Sequence, residues 1–313
     1  MRIVFFGSGA FGVPTLHALA ARHDIAAVVT NPPRPVGRGG RVSPTPIAAA
    51  AEQAAPSTAV LTPERVRDAA DDIARIQADA WVVIAYGHKL PAAMLRDRFA
   101  VNLHGSLLPR WRGAAPVNAA VLAGDAHSGN SVISLADRMD AGLIYATTRR
   151  DITLATTATD LHDALSADGV AAVLGVLDAH AAGDLRGQPQ NEADATTAGK
   201  LSKADGWVSF HGTGDEARRR INGLSQWPGV TAQLKGERLR LLRAAPGEQR
   251  DTGEPGELID ADAGDIACRE GAVRLLEVQP ANKRAMAWSD FARGRRLQAG
   301  ARLIGHESED ATP

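Results

Sequence analysis

The sequence has a single cysteine, almost no net charge and no long hydrophobic run. Because Cys268 has no second cysteine to pair with, an internal disulfide bond is excluded and a cysteine-built zinc site is disfavoured. The 313 residues carry 35 basic and 36 acidic side chains, which gives a formal net charge of −1. A strongly basic nucleic-acid-binding chain is therefore excluded, and any contact with nucleic acid must come from local patches.

No stretch approaches the roughly 18 apolar residues that a membrane-spanning helix needs. The apolar start of the chain is too short for the hydrophobic part of a signal peptide, and no cleavage-site pattern follows it. We therefore expect a cytoplasmic protein without a membrane partner. The length of 313 residues favours two domains.

The first half of the chain alternates short β-rich runs with alanine-rich helical stretches. Residues 3–6, 25–29 and 81–85 predict strands, whereas residues 63–76 and 159–182 predict helices. This alternation indicates an α/β domain with a Rossmann-like, doubly wound, mostly parallel sheet.

The composition then changes. Short alternating runs separated by turns begin near residue 207 and predict a small, OB-like β-barrel. The predicted organisation is a first domain at 1–190, a linker at 191–206, the barrel at 207–305 and a disordered polar tail at 306–313.

A glycine-rich turn, Gly7-Ser-Gly9-Ala-Phe-Gly12, follows the first strand in the manner of a dinucleotide fingerprint. That fingerprint requires an acidic residue at the end of the second strand to bind the ribose, and here Thr30 follows that strand. We therefore expect no NAD, and interpret the glycines as a tight turn that allows close packing.

The most informative stretch covers residues 102–116, Asn-Leu-His-Gly-Ser-Leu-Leu-Pro-Arg-Trp-Arg-Gly-Ala-Ala-Pro, at the end of an apolar run. Asn102 and His104 are two positions apart, so on a strand their side chains point to the same side. An amide donor beside an imidazole suits acyl transfer to an amine, because one group stabilises the developing oxyanion and the other handles a proton. The alternative is a strand end with a structural histidine.

The pattern Asn-x-His-x-Ser-Leu-Leu-Pro followed by Arg-Gly-x-x-Pro resembles the signature of the folate-dependent formyltransferases. The resemblance implies that Asn102 and His104 are catalytic and that the following loop borders a 10-formyltetrahydrofolate pocket. The residues that it places there are Ser106, Leu107, Leu108, Pro109 and Arg112. Residues 85–87 resemble the family's Ala-Tyr-Gly beside the same pocket, which adds Tyr86 and Gly87, although Tyr86 can equally be a packing aromatic.

The resemblance also implies an aspartate that pairs with the catalytic histidine. The corresponding stretch, Arg138-Met-Asp-Ala-Gly142, departs from the family's Asp-Thr-Gly because Ala141 replaces threonine. Ungapped spacing favours Asp140 and leaves Asp137 as the alternative. A rival alignment leaves no catalytic acid.

The loop at residues 31–41 combines glycine and proline with Arg34, Arg38 and Arg41, which suits a phosphate-bearing partner as well as a solvated surface. It resembles the loop that meets the acceptor arm of initiator tRNA in methionyl-tRNA formyltransferases. Residues 200–206, 222–229 and 275–286 resemble the C-terminal region of the same enzymes. The resemblance therefore covers nearly the whole chain.

The resemblance implies transfer of a formyl group from 10-formyltetrahydrofolate to the α-amine of methionyl initiator tRNA by a monomer without a metal. Four alternatives remain open. They are a formyltransferase acting on an amino-sugar nucleotide, a folate-hydrolysing domain of a larger dehydrogenase, an oxidoreductase using the glycine turn, and a tRNA-binding protein without catalysis.

Overall fold

The computed structural model describes residues 1–36, 40–225, 227–248 and 253–305. Contacts divide the chain into two compact units. The first comprises residues 1–116, 128–150 and 162–198, and the second comprises residues 117–127, 151–161 and 199–313. The predicted domain boundaries at 190 and 207 stay a prediction, and the predicted disordered tail at 306–313 lies outside the described residues.

Strands alternate with helices up to residue 181, and the remaining elements are mostly strands. The strands are β1 (Arg2–Gly7), β2 (Asp24–Val29), β3 (Arg34–Val36), β4 (Arg41–Ser43), β5 (Ala59–Leu61), β6 (Ala80–Ile84), β7 (Ala100–His104), β8 (Arg112–Gly113), β9 (His127–Ser128), β10 (Ser131–Ser134), β11 (Ile144–Thr147), β12 (Arg150–Asp151), β13 (Thr197–Ala198), β14 (Val230–Leu234), β15 (Glu237–Pro246), β16 (Leu258–Asp260), β17 (Asp265–Ala267), β18 (Ala272–Pro280), β19 (Met286–Ala287) and β20 (Leu303–Gly305). The α-helices are α1 (Val13–Arg22), α2 (Pro46–Ala54), α3 (Ala70–Ala74), α4 (Ala92–Leu95), α5 (Pro116–Ala123), α6 (Ala158–Ala181), α7 (Gly214–Gly223) and α8 (Trp288–Arg295). Short 3₁₀ helices lie at Ala10–Gly12, Val66–Ala69, Glu192–Asp194 and Lys203–Asp205.

The main sheet of the first unit has the strand order β11-β10-β7-β6-β1-β2-β5. Strands β1, β2, β5, β6 and β7 are parallel, β10 is antiparallel to β7, and β11 is antiparallel to β10. The chain adds β2 and β5 on one side of β1 and then crosses to add β6 and β7 on the other. The predicted doubly wound, mostly parallel sheet is confirmed. Ligands of such sheets bind beyond the carboxyl ends of the strands, where the order reverses.

Hydrophobic side chains bury both faces of the central strands. All five residues of β6 are buried, which is the pattern of a parallel strand covered on both sides. The rings of Phe6 on β1 and Trp81 on β6 pack with their centroids 5.0 Å apart. This packing fixes the relative position of the two strands whose carboxyl ends flank the reversal.

Two predicted helices had different outcomes. The prediction at 159–182 is confirmed by α6, which buries Leu165, Val173 and Leu177. Among the described helices α6 alone is long and apolar enough to cross a membrane, a test that the core helix of a soluble protein also passes. The helix predicted at 63–76 is wrong in extent, because Arg65 is extended (φ −136°, ψ 128°) and only the short 3₁₀ turn and α3 follow it.

The second unit contains an antiparallel sheet in the order β16-β17-β18-β15-β14-β20, with β19 paired to β18. Strand β14 alternates buried and half-buried residues, so one face of the sheet covers the core. The long pair β15–β18 contains register shifts between Leu241 and Ala244, and such bulges bend strands and increase their twist. The sheet forms a half-barrel, as the predicted small β-barrel fold requires.

Helices α7 and α8 close the core of the second unit. The N-terminus of α7 has a reciprocal capping box in which Thr213 and Glu216 bond each other's backbone N–H groups. Ile221 of α7 and Trp288 of α8 are buried in the same cluster as the inward residues of the sheet. Capping and apolar burial together account for a helix at this point in the sequence.

Candidate active site

Strand β7 carries Asn102 and His104 to the carboxyl edge of the main sheet. The strand lies between β6 and β10, where Asn102 is opposite Val83 and Ile133 in register. Alternation along the strand puts both side chains on one face, with Asn102 half-buried and His104 buried. The structure therefore places the two predicted catalytic side chains on the same side of the strand.

Both ring nitrogens of His104 face oxygen acceptors. Nε2 donates a hydrogen bond to the backbone carbonyl of Trp111 at 2.9 Å, and Nδ1 lies 3.7 Å from Oδ2 of Asp140. The second distance is within ion-pair range but longer than a hydrogen bond. The carbonyl and the carboxylate lie beside different ring nitrogens, so together they restrict the orientation of the ring.

The structure brings Asp140, and not Asp137, to the histidine. The side chain of Asp140 is 13% exposed, and its Oδ2 accepts a hydrogen bond from the backbone N–H of Gly113 at 2.8 Å. Asp137 is exposed, and its backbone carbonyl accepts a bond from the Lys89 ammonium. The ring of His104 therefore has one carboxylate neighbour from this turn.

Asp140 occupies a left-handed backbone conformation, with φ at +54°. Non-glycine residues adopt this region only where their surroundings hold them there. The side-chain amide of Gln190 donates to the carbonyls of Asp140 (2.7 Å) and Gly142 (2.9 Å), on both sides of Ala141. The turn that carries the carboxylate is thus fixed from outside.

The loop after β7 is held by hydrogen bonds within the loop and to β10. The buried hydroxyl of Ser106 donates to the carbonyl of Arg110 at 2.6 Å. The hydroxyl of Ser131 on β10 donates to the Ser106 carbonyl (2.8 Å) and accepts from the N–H of Leu108 (3.0 Å). Leu107 and Pro109 are half-buried. The five positions predicted to line a folate pocket therefore belong to a loop of fixed shape, and their contact with folate stays a prediction.

Arg112, which lies on β8, is 6% exposed and binds two side chains of a distant segment. Its guanidinium donates to Oε1 of Gln190 (3.0 and 2.6 Å) and to both carboxylate oxygens of Glu192 (3.0 and 2.9 Å). Arg138 forms a further ion pair with Glu192. Hydrogen bonds from Arg112 first and Arg138 second lower the pKa of the Glu192 carboxyl to about 2.

Tyr86 and Gly87 follow the carboxyl end of β6. Tyr86 is 2% exposed, and its ring centroid lies 5.7 Å from that of Phe6. Burial raises the pKa of the Tyr86 hydroxyl to about 12. Its hydroxyl is buried with no hydrogen-bond partner among the described residues. Gly87 is exposed and has φ at +82°, a conformation that favours glycine. Their predicted contact with folate is not tested by these positions.

The predicted tRNA-binding arginines belong to the hairpin β3–β4. Arg34 is opposite Ser43 and Arg41 is opposite Val36 in register, so both arginines project from the same face, and both are exposed. Val42, on the other face, is 62% exposed. Arg38 lies outside the described residues.

Sequence reasoning missed Ser131, Gln190 and Glu192. Each acts on the site from a segment remote in sequence, and Gln190 is 78 positions from Arg112. The available signal was Arg112 itself, since a buried guanidinium requires acceptors. Within the described part of the chain, no group of three histidine, cysteine or acidic side chains is placed to hold a metal ion.

Comparisons with protein families match both parts of the chain. The family described as formyl transferase matches residues 1–177, and the formyl transferase C-terminal domain matches residues 200–296. A methionyl-tRNA formyltransferase of Acidiphilium cryptum is 44% identical over 97% of this chain and 100% of its own length. Another from Rhodopseudomonas palustris is 42% identical over 97% of this chain and 99% of its own length.

Solved structures share the fold at low sequence identity. HypX from Aquifex aeolicus, crystallised with tetrahydrofolic acid, matches with a TM-score of 0.65 at 18% identity over 95% of this chain, which spans 48% of HypX. The sugar 3N-formyl transferase WlaRD, solved with dTDP and 5-N-formyl-THF, matches with a TM-score of 0.68 at 14% identity over 91% of this chain and 99% of its own.

Proposed function

The chain belongs to the formyl transferase family, and from that premise we propose that it transfers the formyl group of 10-formyltetrahydrofolate to the α-amino group of methionyl initiator tRNA for translation initiation. The substrate assignment is supported by relatives named methionyl-tRNA formyltransferase, which align along 99–100% of their length at 42–44% identity. The site assignment is supported by one observation above all. His104 and Asp140 approach within 3.7 Å beside the half-buried Asn102, at the carboxyl edge of the sheet.

The reaction needs a donor for the oxygen that gains charge. Attack of the amine on the formyl carbon turns the carbonyl oxygen into an oxyanion, which the Asn102 amide and a ring N–H of His104 stabilise. Removal of one such donor typically lowers the rate by about 100- to 1000-fold. A half-buried position suits this role, since electrostatic stabilisation is stronger away from water.

The attacking amine must also lose a proton, and the folate nitrogen must gain one. His104 moves this proton directly or through water, and Asp140 holds the ring in orientation. The Asp140 carboxylate lies on the Nδ1 side of the ring, 3.7 Å away, and Nε2 bonds the Trp111 carbonyl at 2.9 Å. We therefore expect substrate to meet the ring at Nε2 in exchange for that carbonyl, while Asp140 stays at Nδ1.

Folate supplies the formyl carbon, and the residues at the carboxyl ends of β6 and β7 fit such a ligand. The buried Tyr86 hydroxyl lacks a hydrogen-bond partner among the described residues, and the half-buried Asn102 amide lies on the next strand of the sheet. We propose that the pocket is formed by Tyr86 and Gly87 together with Ser106, Leu107, Leu108, Pro109 and Arg112.

The nucleic-acid partner is proposed to bind through Arg34, Arg38 and Arg41. The two that the structure describes project from one face of an exposed hairpin, an arrangement that suits a phosphate backbone. We assign catalysis to 1–190, a linker to 191–206 and tRNA binding to 207–305, in a cytoplasmic monomer without a membrane partner.

To test this proposal, purified protein is incubated with 10-formyltetrahydrofolate and methionyl initiator tRNA, and formylation of the tRNA is followed on acid–urea gels. We expect product with charged tRNA and none with uncharged tRNA. His104→Ala and Asn102→Ala should each lower kcat by about 100- to 1000-fold with tRNA affinity nearly unchanged. His127→Ala is the matched control, since that side chain is 43% exposed and pairs only weakly, at 3.6 Å, with Asp151.

Two results would overturn the proposal. Normal turnover in either site variant would show that the replaced residue takes no part in the chemistry, and the proposed site would then be wrong. No product with wild-type protein that still binds folate would point to another acceptor, and an amino-sugar nucleotide would then be supplied in place of the tRNA.

A further inference from the structure

We propose that Gln190 is a positioning residue for the reaction, because its side-chain amide holds the turn that presents Asp140 to His104. The inference rests on the proposed function, since it assigns Gln190 a role in formyl transfer. Gln190 lies on a segment that no sequence motif of the site includes.

The hydrogen-bonding capacity of the Gln190 amide is filled on both sides. Nε2 donates to the carbonyls of Asp140 at 2.7 Å and Gly142 at 2.9 Å, which uses both of its N–H groups. Oε1 accepts two bonds from Arg112, at 3.0 and 2.6 Å. The amide therefore bridges the segment that follows the His104 loop to the turn that carries the carboxylate.

The turn depends on such a bridge because Asp140 has a φ of +54°. A non-glycine residue stays in that region only when external contacts outweigh its preference for another conformation. The carboxylate itself is held by the N–H of Gly113, the residue after Arg112. The side chain of Asp140 is thus held directly by β8, and its backbone is held by Gln190, which itself binds Arg112 of β8.

Arg112 is in turn held in place by Glu192. Arg112 is 6% exposed, and its guanidinium binds both carboxylate oxygens of Glu192 as well as Gln190. Arg138, which precedes the turn, also binds Glu192. One segment, residues 190–192, therefore fixes the orientation of β8 and of the turn, and within that segment Gln190 makes the contact with the carbonyls of Asp140 and Gly142.

The decisive variant is Gln190→Glu, which keeps the length of the side chain and an acceptor for Arg112. It replaces the two donors with an oxygen that faces the carbonyls of Asp140 and Gly142, so the turn is repelled. Gln188→Glu is the matched control, because it adds the same charge two residues away on an exposed side chain.

We expect Gln190→Glu to lower kcat for formylation by about tenfold to a hundredfold, the range associated with misplacing a reacting group by a fraction of an ångström to one ångström. The KM for tRNA and the thermal midpoint should stay near those of Gln188→Glu. In an Asp140→Asn background Gln190→Glu should have little further effect, because both changes act on the same carboxylate.

Three outcomes would overturn the inference. They are a kcat for Gln190→Glu equal to that of the control, losses that multiply in the double variant, or a loss confined to KM. If Gln190→Glu does not fold, Glu192→Gln replaces it, since that change weakens the anchor at a half-exposed side chain. It should then lower kcat by a few-fold with the same dependence on Asp140. Inactive wild-type protein would instead refute the proposed function, which the wild-type assay reports separately.

Discussion

Gly142 closes the turn that carries Asp140, and replacing it with alanine should displace that turn. A Cβ built at Gly142 would lie 1.8 Å from the carbonyl oxygen of Ser134 on β10. The two segments are tied together at this point, because the Leu143 N–H bonds the Ser134 hydroxyl at 2.8 Å. The backbone itself has no room for a methyl group.

The size of the displacement follows from that distance. Real Cβ atoms stay beyond 3.0 Å of such an oxygen, so the turn and β10 must separate by roughly 1.2 Å from their present 1.8 Å approach. A misplacement of about 1 Å commonly lowers turnover by about 100-fold. Overpacking of this kind costs about 1–3 kcal/mol of stability. Gly142→Ala should therefore lose most of its turnover while the protein stays folded.

The assay compares kcat for formylation and the urea midpoint of Gly142→Ala with those of Gly175→Ala. Gly175 lies within α6, and a Cβ there would meet nothing within 4 Å. That control should keep full activity and gain about 0.5–1 kcal/mol, because alanine is the better helix former. Turnover of Gly142→Ala within about twofold of wild type, where about 100-fold is expected, would refute the reasoning that Asp140 must be held in this position.

Three further predictions concern stability and reactivity. Arg274→Met should cost about 3–5 kcal/mol in denaturant unfolding, because the fully buried carboxylate of Asp265 loses two bonds of 2.8 Å; an unchanged midpoint would contradict this. The pKa of the Glu192 carboxyl is lowered from 4.5 to about 2, so its ion pairs stabilise the fold above pH 4.5 and lose that effect as pH falls towards 2. The difference in free energy of unfolding between wild type and Glu192→Gln should therefore shrink from pH 7 to pH 3. An equal difference at the two pH values would contradict this. Burial raises the pKa of the Cys268 thiol to about 12, so iodoacetamide at pH 8 should label unfolded protein and spare folded protein, as mass spectrometry would detect.

The sequence could predict those elements of the fold that have a local pattern of hydrophobic residues. The continuous apolar run near Trp81 corresponds to β6, and the long alanine-rich stretch corresponds to α6. Both elements can be predicted because their hydrophobic pattern lies within a single continuous segment of the sequence. The helix predicted at 63–76 failed because Arg65 is extended and pairs with Asp68 three residues on, while the next residue, Val66, is buried in the core of the first unit. Core packing of this kind outweighs helical propensity over a few residues.

The candidate site divides in the same way. The spacing of Asn102 and His104 predicts two side chains on one face of a strand, and they lie on one face of β7. The contacts that fix Asp140 come from Gln190, 50 positions away, and no periodic pattern encodes a pairing at that separation. Such contacts are decided by how the loops at the sheet edge fold together, so they became visible only in the structure.

The glycine turn after β1 has the glycine spacing of a dinucleotide-binding motif, and packing alone explains that spacing. A Cβ at Gly7 would lie 2.7 Å from the carbonyl oxygen of Ile84, so close approach of β1 and β6 already requires glycine there. The position at the end of β2 where a ribose-binding acid would stand is taken by the fully buried Thr30. Its hydroxyl bonds those of Ser8 (3.3 Å) and Thr45 (2.6 Å), which ties the glycine turn to the cap of α2. Packing and hydroxyl bonding therefore account for this turn, whereas His104, the ionisable group proposed for formyl transfer, lies one strand beyond β6, at the end of β7.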